Sequence, residues 1–329
     1  MTIINGIEID YITYTFNEIK SAIANNDQIE DKLNVIIVVS NPCLYATRYI
    51  LWKEFVKRFE EEEPNVSLYC VELAYGDQKF IVTDKKNKQH LQIRTNVPIW
   101  HKENMINLAV KKLLPASWKA FAWIDADIEF DNFSWAKDTL KILNGCKDVV
   151  QLFSHCVDMD KEYNTMNIFS GFGYSFTKAK KYTVKGPDYW HPGFAWAMTR
   201  KAYERVGGIY EEGVLGSGDS IMALAFIGYA NKMNRDDYHE DYNNSMVNFQ
   251  KKCKGLRLGY VPGVIRHYYH GSKVNRKYTE RWQILIKHQY SPEKHLIHDN
   301  NGILIPTVHF SKDFIEDIYN YFAERKEDE

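Results

Sequence analysis

"FAWIDADIEF", residues 121–130, begins as an apolar run, Phe121 to Ile124, and then turns abruptly acidic with Asp125, Asp127 and Glu129. Asp131 follows directly. Like charges crowded at the end of a buried strand repel one another unless water or a cation separates them. At i and i+2 of a strand, Asp125 and Asp127 point to the same side, where both carboxylates can face one cation. Hard oxygen ligands suit magnesium or manganese. Two readings stand at this point: a solvated strand end, or a metal site.

The surroundings say what kind of strand this is. "NVIIVVS", Asn34 to Ser40, is a continuous β-branched run, as in a strand covered on both faces. Asn41-Pro42 ends it. Trp52, Phe55, Val56 and Phe59 then fall on one helical face, closed by the acidic run Glu60–Glu63 and Pro64. Val66 to Glu72 reads as the next strand. Ile106, Ala109, Val110 and Leu113 form a second helical stripe, ended by Pro115, before the strand Ala120 to Ile124. Strand and helix alternating in this way predict an α/β fold with a mostly parallel, helix-covered sheet, and ligands of such sheets sit at strand ends. Asp125 lies at one.

Beyond residue 150 the pattern weakens. Val149 to Phe153 reads as a strand and residues 154–190 as long loops. Helices are expected over Arg200–Val206, stopping at Gly207-Gly208, and over Ser220–Ile227, Arg281–Ile286 and Phe314–Phe322. The charged tail from Glu324 to Glu329 is expected to fray.

Composition bounds the function. The 329 residues are 45% hydrophobic, enough for a sizeable core, and 42 Lys and Arg balance 43 Asp and Glu, so no global field draws the chain to nucleic acid or membrane. Basic residues do cluster locally: nine between Lys251 and Arg281 against the single acid Glu280, and Lys178, Lys180, Lys181 and Lys185 in another stretch. Each reads as a solvated face or as a phosphate contact. Five cysteines without a Cys-x-x-Cys pair indicate neither a zinc ribbon nor a disulfide framework, and fit a reducing compartment. The first ten residues do not read as a signal peptide, and no run of about 18 apolar residues occurs. The expected location is the cytoplasm, without membrane insertion.

Two further stretches carry chemistry. In "LGSGDSIMALAFIG", residues 215–228, Asp219 opens an apolar helix. It is an N-cap, a general base for a hydroxyl, or both. In "HYYHGSKVNRKY", residues 267–278, a single His joining metal-bound carboxylates is easier to support than a zinc site. Lys273, Arg276 and Lys277 could pair with phosphates. Walker, His-Glu-x-x-His and Gly-x-Ser-x-Gly motifs are absent from the sequence.

In their order these motifs resemble the GT-A glycosyltransferases. That superfamily has a nucleotide-binding α/β half, an Asp-x-Asp, a Gly-rich stretch leading to an acid, and then a His. "HPGFAWAMTRKAYERVGGIYEEGVLGSGD", residues 191–219, resembles the segment that covers the donor sugar and ends in the catalytic acid. It is similar in layout to galactosyltransferases with a Gly-Gly-x-Glu-Asp motif, although Gly218 here replaces the acid before Asp219. "WHKENMINLAV", residues 100–110, resembles the Asn-bearing helix before the Asp-x-Asp, and points to Asn107. Closer still is a resemblance to glycosyltransferases of phages and large viruses. Those share Trp-x-Lys-Glu, Pro-Gly-x-Ala-Trp-Ala, Leu-Gly-x-Gly-Asp and His-Gly-Ser, found here at Trp100, Pro192, Leu215 and His270. Some act on hydroxymethylated pyrimidines in DNA.

The resemblance implies a single GT-A catalytic domain over residues 1–290. Its nucleotide-binding half would span about 30–150 and its acceptor half about 151–280, with a C-terminal helical extension over 281–329. It implies a Mn2+- or Mg2+-dependent transfer from a nucleotide-sugar, UDP being the expected nucleotide, to a hydroxyl acceptor with inversion. The expected acceptor is hydroxymethylated DNA, with a cell-surface or capsid glycan or protein as the alternative. A sugar nucleotidyltransferase and a non-catalytic binding protein are further alternatives. Ser40, Asn41 and Pro42 would contact base and ribose, and Glu72 would accept hydrogen bonds from the nucleotide. Asp125, Asp127 and His270 would serve the metal, with Asp125 also orienting ribose. Lys273 and Arg276 would meet the diphosphate, and Asp219 would be the base. Trp190, His191 and Trp196 would shape the sugar and acceptor pocket, the two Trp being equally readable as core.

Overall fold

Leu33–Ser40 alternates side chains between two cores, which is why its sequence is apolar throughout. Leu33, Val35, Ile37 and Val39 pack with Trp52, Phe55 and Phe59 of helix Ala46–Glu62 on one face. Ile36 packs on the other face with Met105, Ile106 and Ala109 of helix Lys102–Lys112. The structure is a computed structural model and describes residues 2–4, 7–9, 29–184, 189–277 and 280–329. Lys185 and residues 1, 5, 6 and 10–28 lie outside the described residues.

Among the described residues the main sheet has seven strands. In spatial order they are Leu258–Tyr260, Val149–Gln151, Ala195–Thr199, Ala120–Ile124, Leu33–Ser40, Val66–Tyr75 and His90–Thr95. Only Ala195–Thr199 runs against its neighbours. The expected α/β architecture, a mostly parallel sheet between helices, is therefore present. Helices Arg200–Val206, Gly218–Phe226, Trp282–Lys287 and Lys312–Glu324 form close to where they were expected. Gly207, at φ +78°, closes the first of them in the left-handed conformation that glycine adopts without strain. Among the described residues no helix is long and apolar enough to cross a membrane.

Two segments differ from expectation. Strand His90–Thr95 was not foreseen; it pairs in parallel at the sheet edge with Val66–Tyr75. Residues 154–190 are not merely loops. They supply three strands of a second, five-stranded sheet ordered Trp190–His191, Thr165–Gly171, His155–Met159, Val264–His267, Ile128–Phe130, together with helix Phe172–Thr177. The tail is not frayed either: Arg325 and Glu327 are 6% and 2% exposed.

Helix Phe172–Thr177 is held close to the main sheet by a glycine. The Gly173 amide donates to Gln151 Oε1 at 2.9 Å, and a Cβ at Gly173 would collide with the backbone carbonyl of Gly259. Gly173→Ala is therefore expected to cost about 1–3 kcal/mol, read from denaturant unfolding. An unchanged midpoint would contradict this packing.

Candidate functional site

Asp125 to Asp127 is where the chain leaves one sheet and enters the other. Ala120–Ile124 ends in the main sheet, and Ile128–Phe130 pairs antiparallel with Val264–His267 in the second, Ile128 opposite His267. The Asp125 amide donates to the Phe194 carbonyl at 2.8 Å, and the Tyr268 amide donates to the Asp127 carbonyl at 2.8 Å. This turn breaks the strand alternation, so the two carboxylates do not face one point as i and i+2 would in a strand. Asp127 turns to the histidines, whereas Asp125 ion-pairs with Lys102 at the start of helix Lys102–Lys112.

Asp127, His267 and His270 form a candidate metal centre; their ligand atoms all lie within 4.8 Å of one another. Asp127 Oδ2 is 2.8 Å from His270 Nε2 and 3.8 Å from His267 Nε2, and the two imidazole nitrogens are 3.3 Å apart. These separations bracket the roughly 3 Å between adjacent corners of an octahedron with bonds of about 2.1 Å. Asp127 Oδ1 is buried without a hydrogen-bond partner, an orphaned acceptor of the kind a cation satisfies. The donor set therefore fits a divalent ion.

The second sheet orients the ligands. His267 pairs in register with Asp158 on the parallel strand His155–Met159, and its Nδ1 lies 2.7 Å from Asp158 Oδ1. A carboxylate on Nδ1–H leaves the Nε2 lone pair facing the centre, as in many metal-bound histidines. Lys273 ion-pairs with the other Asp158 oxygen. Burial would lower the His267 pKa, but its bonds to Asp127 and Asp158 raise it above the ordinary value. Burial and the Arg276 guanidinium push His270 down to about 4, so it presents a neutral nitrogen at pH 7. Burial alone would raise the Asp127 carboxyl, yet its interactions with His270 and His267 hold it well below the usual range.

Beside this centre lie three more carboxylates. Burial raises Asp125, against the pull of Lys102. Glu103 is 4% exposed. Burial pushes its carboxyl up to about 7 despite Lys102, with Asp219 and Asp125 adding to the rise. Asp219 sits in the first turn of Gly218–Phe226 and accepts the Ser220 amide on Oδ1 at 2.7 Å. The helix N-cap is Ser217, so Asp219 is not the cap. A Cβ at Gly193 would be 3.0 Å from both Asp219 Oδ2 and His191 Cε1, so this glycine lets the two side chains approach. His191 is stacked between Phe169 and Phe194 at 4.6 and 4.4 Å, and burial lowers its pKa to about 3.

Several expected nucleotide contacts are committed elsewhere. Glu72 accepts the amides of Ile81, Val82 and Thr83 and the Thr83 hydroxyl, tying down a loop. Asn107 binds Ile209 N and O, the Tyr203 hydroxyl and Glu211, bolting its helix to the loop after Gly208. Asn41 closes a ring with the Tyr45 backbone. Ser40 and Pro42 line a cavity at the strand end together with Arg48, Trp100 and Phe322. Lys273 is held by Asp158, and Arg276 Nη2 lies 2.7 Å from His270 Nε2. Trp190 and Trp196 are core residues, 4% and 2% exposed, and so do not wall an open pocket.

Four residues of the site were not singled out from sequence; one is His267, passed over in favour of His270. Lys102 and Glu103 lie within the quoted "WHKENMINLAV", where attention fell on Asn107. Asp158 lies in the stretch read as loop, and only its register opposite His267 reveals it.

No family model and no curated protein matches the chain. Among solved structures it is similar to the catalytic domain of Drosophila beta1,4galactosyltransferase 7 in complex with xylobiose, at 9% identity and a TM-score of 0.40, covering 87% of this chain and 99% of that one. A mutant of the same enzyme with manganese, UDP-Gal and xylobiose matches at 9% identity and TM-score 0.41, covering 86% and 98%. A 4-diphosphocytidyl-2C-methyl-D-erythritol synthase from Anaerococcus prevotii matches at 12% identity and TM-score 0.33, covering 90% and 97%.

The raised Glu103 carboxyl has a consequence for stability. The folded state binds its proton more tightly than the unfolded state, so stability falls as pH rises from the ordinary carboxyl range to about 7. Glu103→Gln is expected to remove that loss, up to about 3 kcal/mol. In metal-free protein, denaturation at pH 5 and pH 8 should show the variant gaining on the wild type at the higher pH. Equal differences at both would contradict the assignment.

Proposed function

We propose that this chain is a metal-dependent glycosyltransferase of GT-A type, moving a sugar from a nucleotide-sugar to a hydroxyl acceptor. One observation carries the reading. Asp127, His267 and His270 converge at the end of the main sheet, the second oxygen of Asp127 being buried without a hydrogen-bond partner, with a fourth group, Asp219, held at a nearby helix start. Two imidazoles and one carboxylate suit manganese better than magnesium, which prefers oxygen. Bound there, the ion would neutralise the leaving diphosphate.

The protein's own groups do the rest. Asp158, braced by Lys273, positions His267. Lys102 ion-pairs with Asp125 beside the centre, where that carboxylate can orient the donor ribose. The Ser220 amide fixes Asp219 by Oδ1, leaving Oδ2 for the acceptor proton. As the acceptor oxygen bonds to the anomeric carbon, the bond to the diphosphate breaks with its electron pair, and the hydroxyl proton passes to Asp219. A single base facing the acceptor gives inversion. UDP as donor nucleotide, hydroxymethylated DNA as acceptor and the cytoplasm as location rest on the sequence resemblance.

Nucleoside diphosphate release, followed with manganese, a panel of UDP-sugars and plain, hydroxymethylated or no DNA, tests both reaction and acceptor. Asp127→Asn should lose about 100-fold or more, and Asp219→Asn about 100- to 10,000-fold with donor binding retained. Wild-type turnover in the Asp219 variant would remove the base. Release of pyrophosphate would replace transfer with nucleotidyl chemistry.

A further inference from the structure

The tail that follows helix Lys312–Glu324 lies across the interval a donor nucleotide has to occupy. In the reading above, which this inference deepens and rests on, the nucleotide runs from Ser40 and Pro42 to Asp127, His267 and His270. Glu327 sits in that interval, 2% exposed, bound by two guanidinium groups. Arg48 holds it through Nε and through Nη2 at 2.7 Å, and Arg325 holds it through Nη2 at 2.7 Å. The same Arg48 donates to the Ser40 carbonyl at 2.7 Å, at the end of the first strand. On the other side the tail backbone lies against Gly271, directly after His270. A Cβ there would be 3.0 Å from Glu327 Cα and 3.2 Å from the Lys326 carbonyl.

Two further contacts latch the segment. The Asp328 carboxylate accepts the amides of Ala46 and Thr47 at 3.0 and 2.8 Å. The Tyr45 hydroxyl donates to the carbonyl oxygens of Phe322 and Ala323 and accepts the Lys326 amide at 3.0 Å. A carboxylate gripped by two guanidinium groups, that of Arg48 in a fork, has the recognition chemistry of a phosphate. The guanidinium of Arg325 presents a further buried N–H, at Nε, without a hydrogen-bond partner.

We propose that Arg48 and Arg325 form a phosphate-binding subsite for a nucleoside diphosphate, and that Glu327 occupies it as an internal stand-in. The structure described here is then the closed state, and the nucleotide binds by displacing residues 325–328. Apparent affinity is lowered by the fraction of molecules that are open, so weakening the latch tightens nucleotide binding. That response separates a plug from a wall, because removing a wall residue weakens binding.

The test uses full-length protein, manganese and UDP as probe. UDP affinity is measured by calorimetry for wild type, Glu327→Gln and Asp328→Asn. Amide exchange of residues 320–329 is followed in the wild type with and without UDP. Expected are about tenfold tighter UDP binding in each variant and faster exchange of the tail amides when UDP is present. If Glu327→Gln does not fold, Asp328→Asn, which frees only two helix-end amides, decides alone. Affinity unchanged or weaker in the variants, with the tail still protected under UDP, overturns the plug and leaves the donor reading standing. Manganese binding without UDP binding in any of the proteins overturns the donor reading and this inference with it.

Discussion

One chain crossing governs the site. Between Ile124 and Ile128 the backbone must leave a sheet buried on both faces and join a second sheet in antiparallel register with Val264–His267. The three residues of that crossing, Asp125 to Asp127, are only partly buried, whereas Ile124 and Ile128 on either side are buried. Placing Asp at two of them sets charge against the ends of two layers. Everything nearby answers that charge: Lys102 on one side, two histidines on the other.

The compensation is divided unequally, and the division separates the roles. Asp125 has a permanent cation in Lys102 and is internally satisfied. Asp127 faces His270, whose nitrogen is kept neutral by burial and by Arg276, and His267, whose proton is drawn to Asp158. The three side chains thus converge on one point, with Arg276 Nη2, 2.7 Å from His270 Nε2, as the neighbouring donor. In a low-dielectric pocket such an arrangement is costly unless a cation or proton completes it. Arg48, Glu327 and Arg325 solve the same electrostatic problem nearby by internal pairing, which ties the tail to the first strand.

Much of the first half was legible in sequence because its strands are buried on both faces. Leu33–Ser40 and Ala120–Ile124 are continuous apolar runs, and the Trp52–Phe55–Phe59 stripe has one period only. The second sheet was hidden for a physical reason. "HCVDM" and "TMNIFSG" mix polar site residues with apolar ones, so neither a period of two nor a buried run stands out. Asp127, Asp219 and His270 could be picked out as charges at element boundaries. Asp158 and His267 could not, since their role comes from register between strands over a hundred residues apart. Glu72 and Asn107 misled because a buried polar residue satisfied by groups distant in sequence looks, in sequence, like one awaiting a ligand.

The central claim is that Asp127, His267 and His270 hold one divalent ion. Electron paramagnetic resonance of Mn2+ titrated into the protein without nucleotide tests it directly. The expected result is loss of the free-ion signal at one equivalent, with nitrogen hyperfine coupling that diminishes in His267→Ala. Manganese that stays free, or that binds without nitrogen coupling, would contradict the claim.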